Sequence, residues 1–127
     1  MSEWIGEAMI RLGRLLGVDE LRLNAQGAAS VTLDAGRRLI FEFRTGVLHF
    51  SLAFSLPASD ESMGRLLAEA HPMRCRRFRV RAGYLRRLGM GLLCVGIPEN
   101  EVEVFRLNEV YEFLKVASSR VGGGAWA

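Results

Sequence analysis

A chain of 127 residues, half of them apolar and about a quarter charged, is the size of one domain with a core that folds without metal or disulfide staples. Its net charge of +3 is too small to mark a polyanion binder by itself, and no apolar run approaches the ~18–20 residues of a membrane span. Glu3 and Glu7 stand where an export signal carries basic residues, so a cytoplasmic setting with Cys75 and Cys94 reduced is the expectation.

In chain order, Ser2 to Leu16 has helical periodicity. Trp4, Ile5, Ala8, Met9, Leu12, Leu15 and Leu16 form one stripe, with Glu3, Glu7, Arg11 and Arg14 off it. Ser2 is suited to cap its start and Gly17 to stop it, while Gly6 and Gly13 weaken it. Such a stripe either covers a sheet or leaves its Trp4 end open for a partner. Glu20 to Leu23 suggests a short extended piece closed by the Asn24–Gly27 turn.

From Ala29 to Leu56 the period changes to two. Ala29, Val31 and Leu33 alternate with Ser30, Thr32 and Asp34; Leu39, Phe41 and Phe43 with Ile40, Glu42 and Arg44; Leu48, Phe50, Leu52, Phe54 and Leu56 with His49, Ser51, Ala53 and Ser55. Asp34-Ala35-Gly36 and Thr45-Gly46 supply short turns, so the stretch predicts a three-strand antiparallel meander. At ~1.5–3 kcal/mol per buried side chain, its Phe/Leu face requires a cover.

Leu56-Pro57 ends the meander. A second helix begins near Ser59 or Asp60, carries Met63, Leu66, Leu67 and Ala70, and stops at Pro72. Seven arginines then fall within Arg74–Arg87, with Phe78, Val80 and Ala82 alternating against Arg77, Arg79 and Arg81, which predicts a strand with one Arg face. That stripe suits phosphates, an acidic partner, or the acids of Glu99–Glu112 in the same or a second subunit. The expectation is pairing with those acids, because stacking aromatics are missing. Gly91–Ile97 and Val102–Leu107 suggest a second hairpin. Asn108 then caps a last helix bearing Val110, Tyr111, Leu114 and Ala117, and residues 121–127 form a flexible Gly-rich tail.

Chemistry is sparse. His49 and His71 lack nucleophile or carboxylate neighbours at a useful spacing, the cysteines lack metal-type spacing, and Gly83, Gly89 and Gly91 form no phosphate cradle. Neither a catalytic residue, a cofactor site nor a metal site is predicted, and a binding module is the expectation. The alternative to a protein-binding role is a small basic nucleic-acid-binding or regulatory module using the Arg74–Arg87 stripe.

The element order, helix, meander, helix, strand or hairpin, helix, resembles the class I chaperones of type III secretion, the CesT/Tir-chaperone family. The likeness rests on Leu12-Gly13-Arg14-Leu15-Leu16-Gly17-Val18 leading into Glu20–Asn24, on Gly27–Asp34, on Met63–Ala70 and on Leu107–Leu114. Residues 74–89 are similar to the SycN-type branch, whose members pair with a second, different chaperone. The resemblance implies an α+β fold with helices packed on a twisted antiparallel sheet, one domain over residues 1–120, and a bacterial cytoplasmic dimer without ATPase activity. It implies binding the N-terminal segment of a secreted effector or regulator in extended form, with neither nucleic acid nor membrane insertion. By position, Trp4, Ile5, Met9, Leu12, Ile40 and Ala53 are the partner-binding candidates. Met63, Leu66, Leu67, Ala70, Phe78 and Val80 are the dimer candidates, in a homodimer or a heterodimer with a second chaperone.

Overall fold

The computed structural model describes residues 3–72 and 77–122. Helix α1 spans Glu3–Leu16, strands β1 Ala28–Thr32, β2 Arg38–Arg44 and β3 Val47–Ser55, helix α2 Asp60–Glu69, strands β4 Val80–Leu85 and β5 Met90–Pro98, and helix α3 Val104–Gly122. The strands form one antiparallel sheet in the order β1-β2-β3-β5-β4, so β1 and β4 are its edges. The expected α+β class and element order hold.

Register follows from the period of two. Leu39, Leu52 and Leu93 lie in one cross-strand row, Phe41, Phe50, Val95 and Val80 in the next, and Phe43, Leu48 and Ile97 in a third. These rows face the helices, with the Phe41 and Phe50 ring centroids 4.4 Å apart. Ile5, Met9 and Leu12 of α1, Leu66 of α2, and Leu107, Val110, Leu114 and Val121 of α3 complete a single core. Thr45 and Gly46 both have positive φ (52° and 75°), the backbone of a two-residue hairpin turn whose twist suits the flanking strands.

Local chemistry sets the ends. Gly17 (φ 75°) donates to Arg14 and Val18 donates to Gly13 O at 2.7 Å, the paired bonds of a glycine-terminated helix. Ser59 Oγ accepts from Ser62 N–H at 3.1 Å and starts α2. Asn24 Oδ1 accepts from the N–H groups of Gln26 and Ala28, closing the turn before β1.

Four expectations are corrected. Val102–Leu107 is no strand: α3 begins at Val104, because Leu107 belongs to the same 3–4 spaced stripe as Val110, Leu114, Ala117 and Val121. Glu103 caps it, its Oε1 accepting from Arg106 N–H at 3.0 Å, and Asn108 lies a turn inside. The partner of β5 is instead β4, across the Arg86–Gly89 turn. The tail does not begin at residue 121, since α3 runs through Gly122 with Val121 in the core; 123–127 lie outside the described residues. Glu20–Leu23 is irregular and not extended in a ladder. Ser2, Arg74, Cys75, Arg76 and Trp126 also lie outside the described residues.

Candidate partner-binding surfaces

The helix periodicity that builds the core decides which apolar residues are left over. In α1, Ile5, Met9 and Leu12 are fully buried under the sheet-facing stripe, so these three sequence candidates belong to the core and not to an open patch. Trp4 remains half exposed at 52%, its indole N–H donating to Glu99 O at 3.2 Å, which fixes the ring where α1 meets the start of α3. Eleven residues along the same stripe, about 16 Å away, Leu15 is 64% exposed. It forms an apolar groove of about 450 Å³ with Val104 and Phe105 of α3, rimmed by Arg11, Arg14 and Asn108.

Phe105 is 78% exposed. It was missed because Val102–Leu107 alternates like a strand. Once the helix is phased on Leu107, Val110 and Leu114, Phe105 sits about 200° from Leu107 and must face out. Leu15 and Phe105 thus stand exposed side by side along this groove, which makes it the candidate contact surface at this end of α1.

The candidates on the sheet separate too. Ile40 is half-buried on the face away from the helices. Ala53 shares that face but is fully buried, because the register sets its short side chain between Arg38 and Leu92.

Of the dimer candidates, Leu66, Phe78 and Val80 point into the core, Phe78 packing on Phe113 at 5.2 Å between centroids. Leu67 is 64% exposed, and Met63 and Ala70 are half-buried. This leaves a Met63/Leu67/Ala70 strip on α2, with β4 next to it presenting one edge that no strand among the described residues pairs.

The expected charge pairing is partial. Arg77 binds Glu109 and lies over Phe78 at 5.8 Å, and Arg106 binds Glu109 at 3.2 Å and Glu101 at 3.5 Å. Arg81 instead turns toward His49 and Cys94. Among the described residues there is no cluster of three or more His, Cys, Asp or Glu able to hold a metal, and no helix is long and apolar enough to cross a membrane.

Solved structures share this arrangement along nearly their whole length. A chain of the heterodimeric ExoU–SpcU complex from the type III secretion system of Pseudomonas aeruginosa superimposes with a TM-score of 0.64 at 20% identity, covering 92% of this chain and 93% of that one. A chain from the complex of the Yersinia pestis type III secretion chaperone SycH with a fragment of YscM2 gives 0.65 at 14% identity, covering 91% and 98%. This is the fold of the type III secretion chaperones. The HopA1–SchA chaperone–effector complex matches likewise, at 0.63 and 18% identity over 87% of this chain and 89% of that one. No protein-family model matches the sequence, and no curated protein sequence does. The likeness is therefore one of backbone architecture.

Proposed function

We propose that the chain is a non-enzymatic, cytoplasmic type III secretion chaperone that holds the N-terminal segment of a secreted effector or regulator extended and ready for export. The observation that carries this reading is the end-to-end match, in both directions, to chains from chaperone–partner complexes. The bare Leu15/Phe105 groove supports it, since a holder needs apolar pockets for its client's anchors. The exposed edge β1 offers the client backbone pairing. In this reading the Met63/Leu67/Ala70 strip and the β4 edge are where two subunits join, either two copies or this chain with a second chaperone. Within the basic stripe Arg77 is paired with Glu109, which argues against that stripe as a polyanion track.

The test is coexpression with a secreted protein encoded beside this chain, followed by limited proteolysis of the purified complex. The expected result is a soluble complex that survives high salt, in which the partner's N-terminal segment is protected and the rest is cleaved. A chain that copurifies with no secreted partner, or protects only a folded domain, overturns the reading.

A further inference from the structure

The face of the sheet turned away from the helices carries a second concavity, of about 380 Å³, that the α1–α3 groove does not account for. One cross-strand row runs straight through it: Ile40 on β2, Ser51 on β3, Cys94 on β5 and Arg81 on β4. His49 and Leu92 form its sides. Arg81 is held in place. Its Nη2 lies 2.8 Å from His49 Nδ1 and 3.8 Å from Cys94 Sγ, which uses both hydrogens of that nitrogen. Among the described residues Nε–H and both hydrogens of Nη1 have no protein partner, so the guanidinium is positioned by His49 and Cys94 while three of its five donors face the basin and solvent. Ser51 is only 7% exposed, lines the same basin, and its hydroxyl makes no hydrogen bond among the described residues.

The charges of this face say what would settle there. Arg38, Arg44 and Arg81 stand on its strands against a single acid, Glu42, and Arg44 already binds Glu42 at 2.6 Å. His49 is neutral at pH 7, because burial and the neighbouring Arg44 and Arg81 outweigh the opposite pull of Glu42, so it accepts from Arg81 and adds no competing charge. Glu42, the basin's own carboxylate, is taken up by Arg44, and among the described residues no carboxylate pairs with Arg81. Its walls Ile40 and Leu92 are half-buried and apolar, and no Phe, Tyr or Trp lines it to stack a base.

We propose that this basin docks an acidic segment of the client polypeptide, with an Asp or Glu carboxylate on Arg81 and the Ser51 hydroxyl and an apolar side chain against Ile40 and Leu92. The inference rests on the chaperone reading and specifies the chemistry of the client. The Arg81 guanidinium reaches across to His49 on β3, so a carboxylate that it shares with Ser51 lies over β3, one strand spacing of about 5 Å from Ile40 on β2. The client's acid and its apolar anchor therefore sit two positions apart, the nearest pair on one face of an extended segment.

The experiment uses the full chain and a fluorescein-labelled synthetic peptide with Glu and Leu two positions apart in a Ser/Thr background, read by fluorescence anisotropy at low salt. Replacing the Glu of the peptide by Gln is expected to weaken binding by about tenfold or more. Arg81→Met removes that Glu-over-Gln preference, Arg81→Lys keeps part of it, and Ser51→Ala lowers affinity by about two- to fivefold. Arg87→Met, an equal loss of charge on the exposed β4–β5 turn, leaves the preference intact. Circular dichroism melts establish that each variant is folded, and the amide resonances of Ser51 and Cys94 shift on binding. Equal affinity for the Glu and Gln peptides overturns the proposal, as does retention of the preference by folded Arg81→Met. Displacement of the peptide by glutarate at the same concentration, or tighter binding of an oligothymidine, overturns it in favour of a small anion or a nucleic acid. Failure of the coexpression test with the peptide preference intact sinks the chaperone reading alone. A copurified client with no peptide preference sinks the basin alone.

Discussion

Arg120 of α3 closes on Glu69, the last residue of α2, with Nε 3.1 and 3.2 Å from the two carboxylate oxygens and Nη2 2.7 Å from one of them. Glu69 is 2% exposed, so its charge needs this fork in place of the water it has lost. Arg120 keeps 41% of its side chain in solvent, which softens the cost of losing it. Arg120→Ala is expected to destabilise the chain by about 1–3 kcal/mol, below the ~3–5 of a fully buried pair. Arg120→Ala combined with Glu69→Leu should cost less than Arg120→Ala alone. Urea denaturation of the set measures both, and an Arg120→Ala value within about 0.5 kcal/mol of wild type would show that the clamp contributes nothing.

The two glycines inside α1 have opposite roles. A Cβ on Gly6 meets nothing within 4 Å, whereas one on Gly13 would lie 2.8 Å from Val18 O and 2.9 Å from Leu21 Cβ. The chain leaving α1 doubles back onto Gly13, so the residue is required by close approach. Gly6→Ala should stabilise the protein by about 0.5–1 kcal/mol, and Gly13→Ala should destabilise it by about 1–3 kcal/mol. Thermal melts that move in the same direction for both would contradict the geometry.

These cases mark how far the sequence was legible. The meander was readable because Leu48 to Leu56 repeats strictly every second residue, and one slip would turn five apolar side chains to water. The start of α3 was not, because Val102, Val104 and Phe105 fit either period over so short a run, and only packing of Leu107 under the sheet chooses between them. For the same reason the α1 stripe was recognised while its open margin was misplaced. Periodicity locates the centre of a buried face, at Ile5, Met9 and Leu12, but its edge depends on where α3 lands, which is a tertiary fact. Nor does sequence spacing bring Arg81, His49 and Cys94 together, since strand order β3-β5-β4 is needed to align them.

The groove makes a separable prediction. Leu15→Glu and Phe105→Asp alter residues 64% and 78% exposed, so each should leave stability within about 0.5 kcal/mol of wild type and weaken client binding by about tenfold or more. Met9→Glu, by contrast, buries a charge at a fully enclosed position and should unfold the chain. Isothermal titration with the copurified client, alongside denaturation curves, distinguishes them. Full binding by folded Leu15→Glu and Phe105→Asp would remove the groove from the interface.

Self-association is tested on α2. Leu67→Asp changes an exposed side chain and should shift the protein from dimer to monomer by light scattering while its fold is retained. Leu66→Asp is a poor probe, since that side chain is 2% exposed and its loss would act through the core. A folded Leu67→Asp variant with unchanged mass would place the subunit contact elsewhere.

His49 offers a pH-dependent readout of the outer face. Burial, then Arg44, then Arg81 lower its pKa from 6.5, while Glu42 opposes them. In the unfolded chain the imidazole takes up its proton near pH 6.5; in the folded chain it does so only at lower pH. Between those two values the unfolded state binds more protons, so the His49 contribution to stability is complete above pH 6.5 and declines as pH falls through the interval. NMR titration, assigned with a His71→Gln variant, should show His49 below 6.5. Arg81→Met should raise its pKa by removing a lowering charge, and Glu42→Gln should depress it further by removing the raising one. The loss of stability from pH 7 to 5 should correspondingly be smaller in Arg81→Met than in wild type. A His49 that titrates at or above 6.5, or is indifferent to both substitutions, would mean that Arg81 does not rest on its ring, and the prepositioned guanidinium of the basin would lose its support.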